Sequence, residues 1–353
     1  MKTRYSVGIL GATGAVGQKF IRLLENHPWF EIKALGASER SAGKTYAEAA
    51  NWIEAVPCPE NIKKMTVAAC DPQFFSGVDF VFSGLDSSVA TEVEGAFAAA
   101  GIPVISNAKN YRTGKYVPLL VPEVNPTHIH AIKKQTFDPN GKGFIVTNPN
   151  CVTVPLVMAL KPLQESFGIK YVILTSMQAV SGAGYPGVPS LDIMGNIVPF
   201  IGGEEPKIAS EPLKLLGDIQ DDGTVSEATF PVQATAVRVP VLEGHLLSIS
   251  VALEKKPASI EEVIAVWENW KNPLEGLALP FAPEKPIVVT REDRYPQPRL
   301  HSYDENGMRT TIGRARLTSI TELSFVALAH NTVRGAAGGA ILNAELLIKE
   351  GYL

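Results

Sequence analysis

Three cysteines and six histidines are spread along the chain, and one of each has neighbours that suit covalent chemistry. Cys151 lies in Asn148-Pro149-Asn150-Cys151-Val152-Thr153, directly after the β-branched run Phe144-Ile145-Val146-Thr147 and directly before the apolar, helix-compatible segment 154–163. A thiol at such a junction faces the unpaired N–H groups and partial positive charge of a helix N-terminus, which favour thiolate over thiol. The competing reading of the hexapeptide is a small buried hydrophobe, which is how most free cysteines behave. A thiol nucleophile needs a proton-transfer partner that titrates near neutrality. His245 is the candidate base, in Arg238-Val239-Pro240-Val241-Leu242-Glu243-Gly244-His245, with an arginine seven residues upstream on what reads as a hairpin. His27, His301 and His330 have structural readings at a helix end, in a polar loop and before the terminal helix. His128 and His130 read as surface residues. Cys58 and Cys70 lie far from Cys151 and form no C-x-x-C, so neither a disulfide framework nor a metal site is expected.

The elements that must position these groups follow from periodicity. Tyr5 to Leu10 reads as a buried strand, followed by Gly11-Ala12-Thr13-Gly14-Ala15-Val16-Gly17 and by a segment that sets Phe20, Leu23 and Leu24 on one helical face. Strand, glycine turn and helix is the setting of a dinucleotide fingerprint, in which the backbone approaches a pyrophosphate seated on the helix N-terminus. The spacing is G-x-x-G-x-x-G, so a plain glycine-rich turn is the alternative. A second strand, 31–37, ends in Ser38-Glu39-Arg40-Ser41. Ser38, Arg40 and Ser41 suit the 2'-phosphate of NADP, while Glu39 keeps NAD open. Beyond an irregular stretch at 51–70, strand-like 78–83, helix-like 88–100 with Ser88 as cap, and strand-like 102–106 continue the alternation. Repeated units of this length predict a parallel, doubly wound sheet. The loop 107–112 leaves a strand end, where such sheets bind ligands.

After Cys151 the texture changes. Strand-like segments at 171–180, 234–241, 246–253, 287–290 and 324–328, with one helix-like stretch at 259–270, predict an α+β second half whose broad sheet offers a dimer surface. The expected fold class is therefore α/β: a Rossmann-like dinucleotide-binding domain at 1–149 and 331–353, and an α+β catalytic and dimerisation domain at 150–330. The small-residue stretch 331–340 leads the terminal helix back to the first domain, and suits close packing and cofactor approach equally. No internal repeat or low-complexity linker is visible. The 353 residues carry a net charge of −4, with 45% apolar and 19% charged residues and no cationic run. Nucleic-acid and anionic-membrane partners are not expected, and no apolar run approaches the roughly 20 residues of a membrane span. The expected location is cytoplasmic.

A cysteine and a histidine beside a nicotinamide admit one economical chemistry: thiolate attack on an activated acyl group, hydride reduction of the thioester and release of an aldehyde. At this point a resemblance covers essentially the whole chain. Gly11 to Gly17, Ser38 to Gly43, Ser106 to Arg112, Pro149 to Thr153, Gln178 to Asp192, Gly203-Glu204-Glu205-Pro206-Lys207, Arg238 to His245 and Asn331 to Gly339 stand in the order found in aspartate-semialdehyde dehydrogenases of the archaeal and fungal branch. The resemblance implies that Cys151 forms the acyl-enzyme, His245 moves the proton and Gln178 orients the acyl group. It implies that Arg238 binds the substrate α-carboxylate, Glu204 (or Glu205) the ammonium, and Arg112, Lys207 and Asn150 the phosphate. It implies NADP as cofactor, with Ser83, Ser181, Gly182 and Asn331 joining the glycine turn in its site, and a homodimer or homotetramer. Malonyl-CoA reductase shares this fold, but its thioester substrate has no α-ammonium to occupy a Glu-x-x-Lys pair. N-acetyl-glutamyl-phosphate reductase is a more distant rival, because an acylated amine gives Glu204 no cation. A dinucleotide sensor is the reading if Cys151 is unreactive.

Overall fold

The structure is a computed structural model that describes residues 2–353. Its first half is built on β1 (Tyr5–Leu10), α1 (Ala15–Leu24), β2 (Phe30–Ala37), β3 (Val67–Ala69), β4 (Phe80–Ser83), α2 (Ser87–Ala99), β5 (Val104–Ser106) and β6 (Ile145–Thr147). All six strands are parallel, in the order β3-β2-β1-β4-β5-β6. The sheet therefore reverses direction of growth beside β1, and the glycine turn lies at the carboxyl end of that strand, where open α/β sheets place ligands. Both faces are covered, which is why β1 and β4 read as continuous apolar runs. The irregular stretch at 51–70 hides β3, whose three residues Val67-Ala68-Ala69 are too short to show a period. The helix at 88–100 is capped by Asp86, whose side chain accepts from the Ser88 N–H at 2.9 Å, and not by Ser88.

The second half comprises α3 (Thr153–Phe167), β7 (Ile169–Gln178), α4 (Glu204–Leu215), β8 (Val232–Arg238), β9 (His245–Leu253), α5 (Ile260–Glu268), β10 (Ile287–Val289), β11 (Thr310–Leu317), β12 (Leu323–Ala329) and α6 (Gly338–Lys349). Its mixed six-stranded sheet runs β8-β7-β9-β12-β11-β10. Sequence reasoning missed β11, whose Thr310-Thr311-Ile312-Gly313 start lacks a clear apolar alternation. The segment 238–245 is not a hairpin: β8 pairs parallel with β7 and β9 pairs antiparallel with β7, so β7 lies between them. The connection crosses the end of β7, which puts Arg238 and His245 on either side of Gln178. One face of this sheet buries Leu174, Leu247, Ile249 and Phe325 against Leu156, Leu160, Val263 and Trp267 of α3 and α5. Its other face leaves Ile173 43% exposed beside Thr175, Gln233, Thr235 and Ser248.

Helix α6 is buried nearly all round, as expected of a helix apolar on every face. Ile341, Leu342, Leu346 and Leu347 belong to the same cluster as Val7, Ile9, Phe20 and Phe82. Each such side chain contributes about 1.5–3 kcal/mol by leaving water. His27, at the end of α1, lies 2.9 Å from Glu345 of this helix, and its Nδ1 accepts from the N–H groups of Trp29 and Phe30. His128 is buried, against the expectation of a surface residue: Asn125 Nδ2 lies 2.9 Å from its Nδ1, and its Nε2 is 3.1 Å from the Gly217 carbonyl. Burial pushes its pKa down to about 4, so it sits there as a neutral imidazole.

Candidate active site

Four chain segments converge where the carboxyl ends of β6, β7 and β8 meet the start of β9. Strand β6 delivers Asn148 to Cys151, β7 ends in Gln178, β8 ends in Arg238 in register with Gln178, and β9 begins with His245. Cys151 Sγ lies 3.2 Å from His245 Nε2. The Ala179 N–H donates to His245 Nδ1 at 3.0 Å. An amide N–H can only donate, so Nδ1 is the unprotonated nitrogen and the single proton of the neutral ring sits on Nε2, toward sulfur. Burial, then the charges of Arg238 and His330, push His245 down to about 3, which keeps the ring neutral. At rest the ring therefore directs an N–H toward sulfur. It cannot take up the thiol proton without losing the Ala179 contact.

Cys151 precedes α3 as expected, and the N–H groups of Thr153 and Val154 bond the Asn150 carbonyl. The anticipated acidification is not what the surroundings produce. Burial first and the Glu204 carboxylate second push the thiol up to about 12, against the opposing charges of Lys207, Arg112 and Arg238. Gly335 packs on the nucleophile so closely that a Cβ there would stand 2.6 Å from Cys151 Cβ.

Helix α4 supplies the charges opposite the thiol. Glu204 accepts from Asn150 Nδ2 at 2.8 Å and from Gln178 Nε2 at 3.3 Å, and it is hydrogen-bonded to Lys207 one turn on. Burial works to raise its pKa, but Lys207 together with Asn150 and Gln178 outweighs it and holds the carboxylate below its usual range. Glu205 instead accepts from the Ala236 N–H of β8 at 3.1 Å, so Glu204 is the member of the pair that faces the thiol. Arg238 Nη1 donates to the Ala179 carbonyl at 2.7 Å. Arg112 is buried and donates to Glu211 Oε1 at 2.7 Å and to the Asn107 carbonyl at 2.8 Å. Glu211 and Lys214, also on α4, were missed: their partners lie between 61 and 102 residues away, and nothing local marks them.

The dinucleotide end is built from backbone. Gly14 caps α1 with no side-chain hydrogen bond, leaving the first N–H groups of the helix turned outward. Gly11 has φ of +73°, and a Cβ on it would meet the Gly84 carbonyl at 2.7 Å, so a glycine is required. Ala12, Thr13, Ala15, Val16 and Gly17 complete the turn. Ser38, Glu39 and Arg40 are exposed beyond the end of β2, and Ser41 closes that turn by donating its N–H to the Ser38 carbonyl at 2.8 Å. The Ser83 hydroxyl points into the core and donates to Glu94 at 2.6 Å, its carbonyl accepts from the Asn107 N–H at 3.0 Å, and the residue is fully buried at the end of β4. Asn331 donates to Ser181 Oγ and accepts from the Gly244 N–H, both at 2.8 Å. A Cβ on Gly182 would stand 2.8 Å from Arg238 Nη1 and 3.1 Å from His245 Cε1, so this loop lies over the reacting groups.

A dinucleotide turn leading to a half-buried cysteine–histidine contact defines a dehydrogenase that works through a thiol. Residues 6–132 match the family model "Semialdehyde dehydrogenase, NAD binding domain", and residues 160–334 match "Semialdehyde dehydrogenase, dimerisation domain". The chain is 50% identical over 347 residues to the aspartate-semialdehyde dehydrogenase of Archaeoglobus fulgidus, covering 98% of this chain and 99% of that one. It is likewise 50% identical to the Schizosaccharomyces pombe enzyme of that name, covering 98% and 99%. A crystal structure of aspartate semialdehyde dehydrogenase with NADP from Candida albicans superposes with a TM-score of 0.91 at 42% identity, covering 99% of this chain and 100% of that one. The chain belongs to the aspartate-semialdehyde dehydrogenase family.

Proposed function

We propose that the chain catalyses the reversible, NADPH-dependent reductive dephosphorylation of L-4-aspartyl phosphate to L-aspartate 4-semialdehyde, in the biosynthesis of lysine by way of diaminopimelate, and of threonine, methionine and isoleucine. The observation that carries this reading is the 3.2 Å contact between Cys151 and His245 beside the Glu204–Lys207 pair. The Cys151 thiol passes its proton to His245, whose ring gives up the Ala179 contact as it becomes imidazolium; the sulfur attacks the acyl carbon, the bond from that carbon to the phosphate oxygen breaks, and a thioester forms as phosphate leaves. NADPH, when bound, supplies the hydride that brings the thioester carbon to the aldehyde level. The imidazolium returns its Nε2 proton to sulfur as the carbon–sulfur bond breaks, which restores the neutral ring. Gln178 orients the acyl group, Arg238 binds the α-carboxylate with its planar fork, and Glu204 meets the ammonium. Arg112, Lys207 and Asn150 hold the phosphate, with ligand entry exchanging the Lys207–Glu204 contact for one bond to each end of the substrate.

The Gly11–Gly17 turn suits the pyrophosphate because its N–H groups are uncapped and no Cβ fits at Gly11. Ser38, Arg40 and Ser41 take the 2'-phosphate, and Ser83, Ser181, Gly182 and Asn331 line the nicotinamide half. We divide the chain into an NADP-binding domain, 1–149 with 331–353, and a catalytic and dimerisation domain, 150–330. The division is supported by the shared packing of α6 and β1. The half-apolar outer face of the second sheet supports a homodimer or homotetramer. No helix among the described residues is long and apolar enough to cross a membrane, and we place the enzyme in the cytoplasm.

The deciding experiment is a side-by-side assay of semialdehyde with phosphate and NADP, and of malonyl-CoA with NADPH. Phosphate-dependent NADP reduction is expected in the first only. Activity confined to the second would transfer the chain to the malonyl-CoA reading.

A further inference from the structure

Helix α4 carries Glu204, Lys207, Glu211 and Lys214, whose spacing of three, four and three places them on one face. The first two belong to the site proposed above. The second two face the loop 107–117, which contains neither helix nor strand and carries Arg112.

Glu211 spans two parts of the site. Its Oε1 accepts from Arg112 Nη1 at 2.7 Å, and its Oε2 accepts from the Asn150 N–H at 2.6 Å. One carboxylate thus ties the guanidinium of the proposed phosphate-binding arginine to the backbone amide that precedes the nucleophile. Lys214 acts on the same loop from below. Its Nζ donates to the carbonyls of Arg112 at 2.8 Å, Gly114 at 3.0 Å and Val117 at 2.9 Å. An ammonium has three N–H bonds, so its donors are all spent on this one loop. Lys214 is buried and, among the described residues, no carboxylate lies within ion-pairing distance of it. A buried cation whose hydrogen bonds all go to carbonyls, with the Glu227 charge acting on it only from beyond ion-pairing distance, is costly, and an apolar side chain would fill the space with less desolvation. What the lysine adds is a fixed path for a segment that has no ladder of its own. Between helix and loop lies a cavity of about 390 Å³, with Lys109, Arg112 and Lys207 on its walls.

We infer that Glu211 and Lys214 are positioning residues for the phosphate step, Glu211 by aiming Arg112 and Lys214 by pinning the loop that carries it. The inference rests on the phosphate-using reaction proposed above. Neither residue touches the reacting atoms. Their effect is on where the arginine stands relative to Lys207 and Cys151.

The test uses Lys214→Met and the isosteric Glu211→Gln, assayed with semialdehyde and NADP while inorganic phosphate is varied. The KM for phosphate is expected to rise by about tenfold or more in each, the effect of misplacing one charged hydrogen bond to an anion. The KM values for NADP and semialdehyde, and kcat at saturating phosphate, should stay within about threefold, as the reacting atoms are untouched. An unchanged phosphate KM in folded protein overturns the inference, and so does a parallel loss in every parameter together with Tm. If Lys214→Met does not accumulate, Glu211→Gln decides alone, since it changes charge without changing volume. Absence of phosphate dependence in the unmodified enzyme would instead remove the reaction on which the inference rests.

Discussion

The two ends of the cleft offer anions two different kinds of partner. At the glycine turn the donors are backbone N–H groups at the start of α1, and side chains are excluded by contact, as the 2.7 Å approach at Gly11 shows. At α4 the donors are long cationic side chains, each held by a partner: Arg112 by Glu211, Lys207 by Glu204, and the loop itself by Lys214. Backbone donors are pre-aimed by the helix and need no support. Side-chain donors have rotamer freedom to lose, and the structure spends neighbouring charges on holding them in place.

The comparison can be broken at its centre first. Cys151→Ala should lower turnover by about 10⁴-fold or more while NADPH binding, followed by fluorescence titration, is unchanged. Retained turnover would remove the acyl-enzyme and with it the reason for an anion site beside the thiol. At the backbone end, Gly11→Ala forces a Cβ against the Gly84 carbonyl at positive φ. It should weaken NADPH binding by about tenfold to a hundredfold with the phosphate KM unaltered. At the side-chain end, Arg112→Lys keeps the charge but loses the fork. The phosphate KM should rise by about tenfold with NADPH binding unaltered, and equal effects on both ligands would mean that the two ends are not separate. The smallest effect concerns the thiol. With its pKa pushed up to about 12, alkylation of Cys151 by iodoacetamide should accelerate steadily from pH 7 to pH 9. A rate flat with pH would indicate a thiolate already formed. The Glu204 carboxylate is one cause of the upward shift, so Glu204→Gln should move the curve toward lower pH by making the thiolate less costly.

What could be read in advance follows the same division. The glycine turn was legible because its requirements are local: seven consecutive residues after an apolar strand state them. Cys151 was legible for a similar reason, at a junction between a β-branched run and a helix. The order of the second sheet was not, because 238–245 looks like a hairpin in any local window and only pairing through β7 reveals otherwise. Glu211 was invisible because Arg112 lies 99 residues away. His128 was misjudged because its polar neighbours suggested solvent, whereas the 3-10 turn of Pro126–Lys134 rotates it inward beside Ile129 and Ile132. Choosing between Glu204 and Glu205 needed the path of β8, since it is the Ala236 N–H that engages the second carboxylate.

The main chain of Ala179 holds the imidazole with its N–H and the Arg238 guanidinium with its carbonyl. Both contacts belong to the main chain, so the methyl group at this position carries no information about either. The placement of a proton on Nε2 is thereby inherited from the register in which β7 meets its neighbours. Point substitutions that preserve the strand leave that placement alone. Sliding β7 by one residue would present a different residue, with its N–H and carbonyl turned the other way, to the ring and to the arginine at once. The tautomer of the imidazole and the aim of the guanidinium are in this sense a single property of how one strand ends.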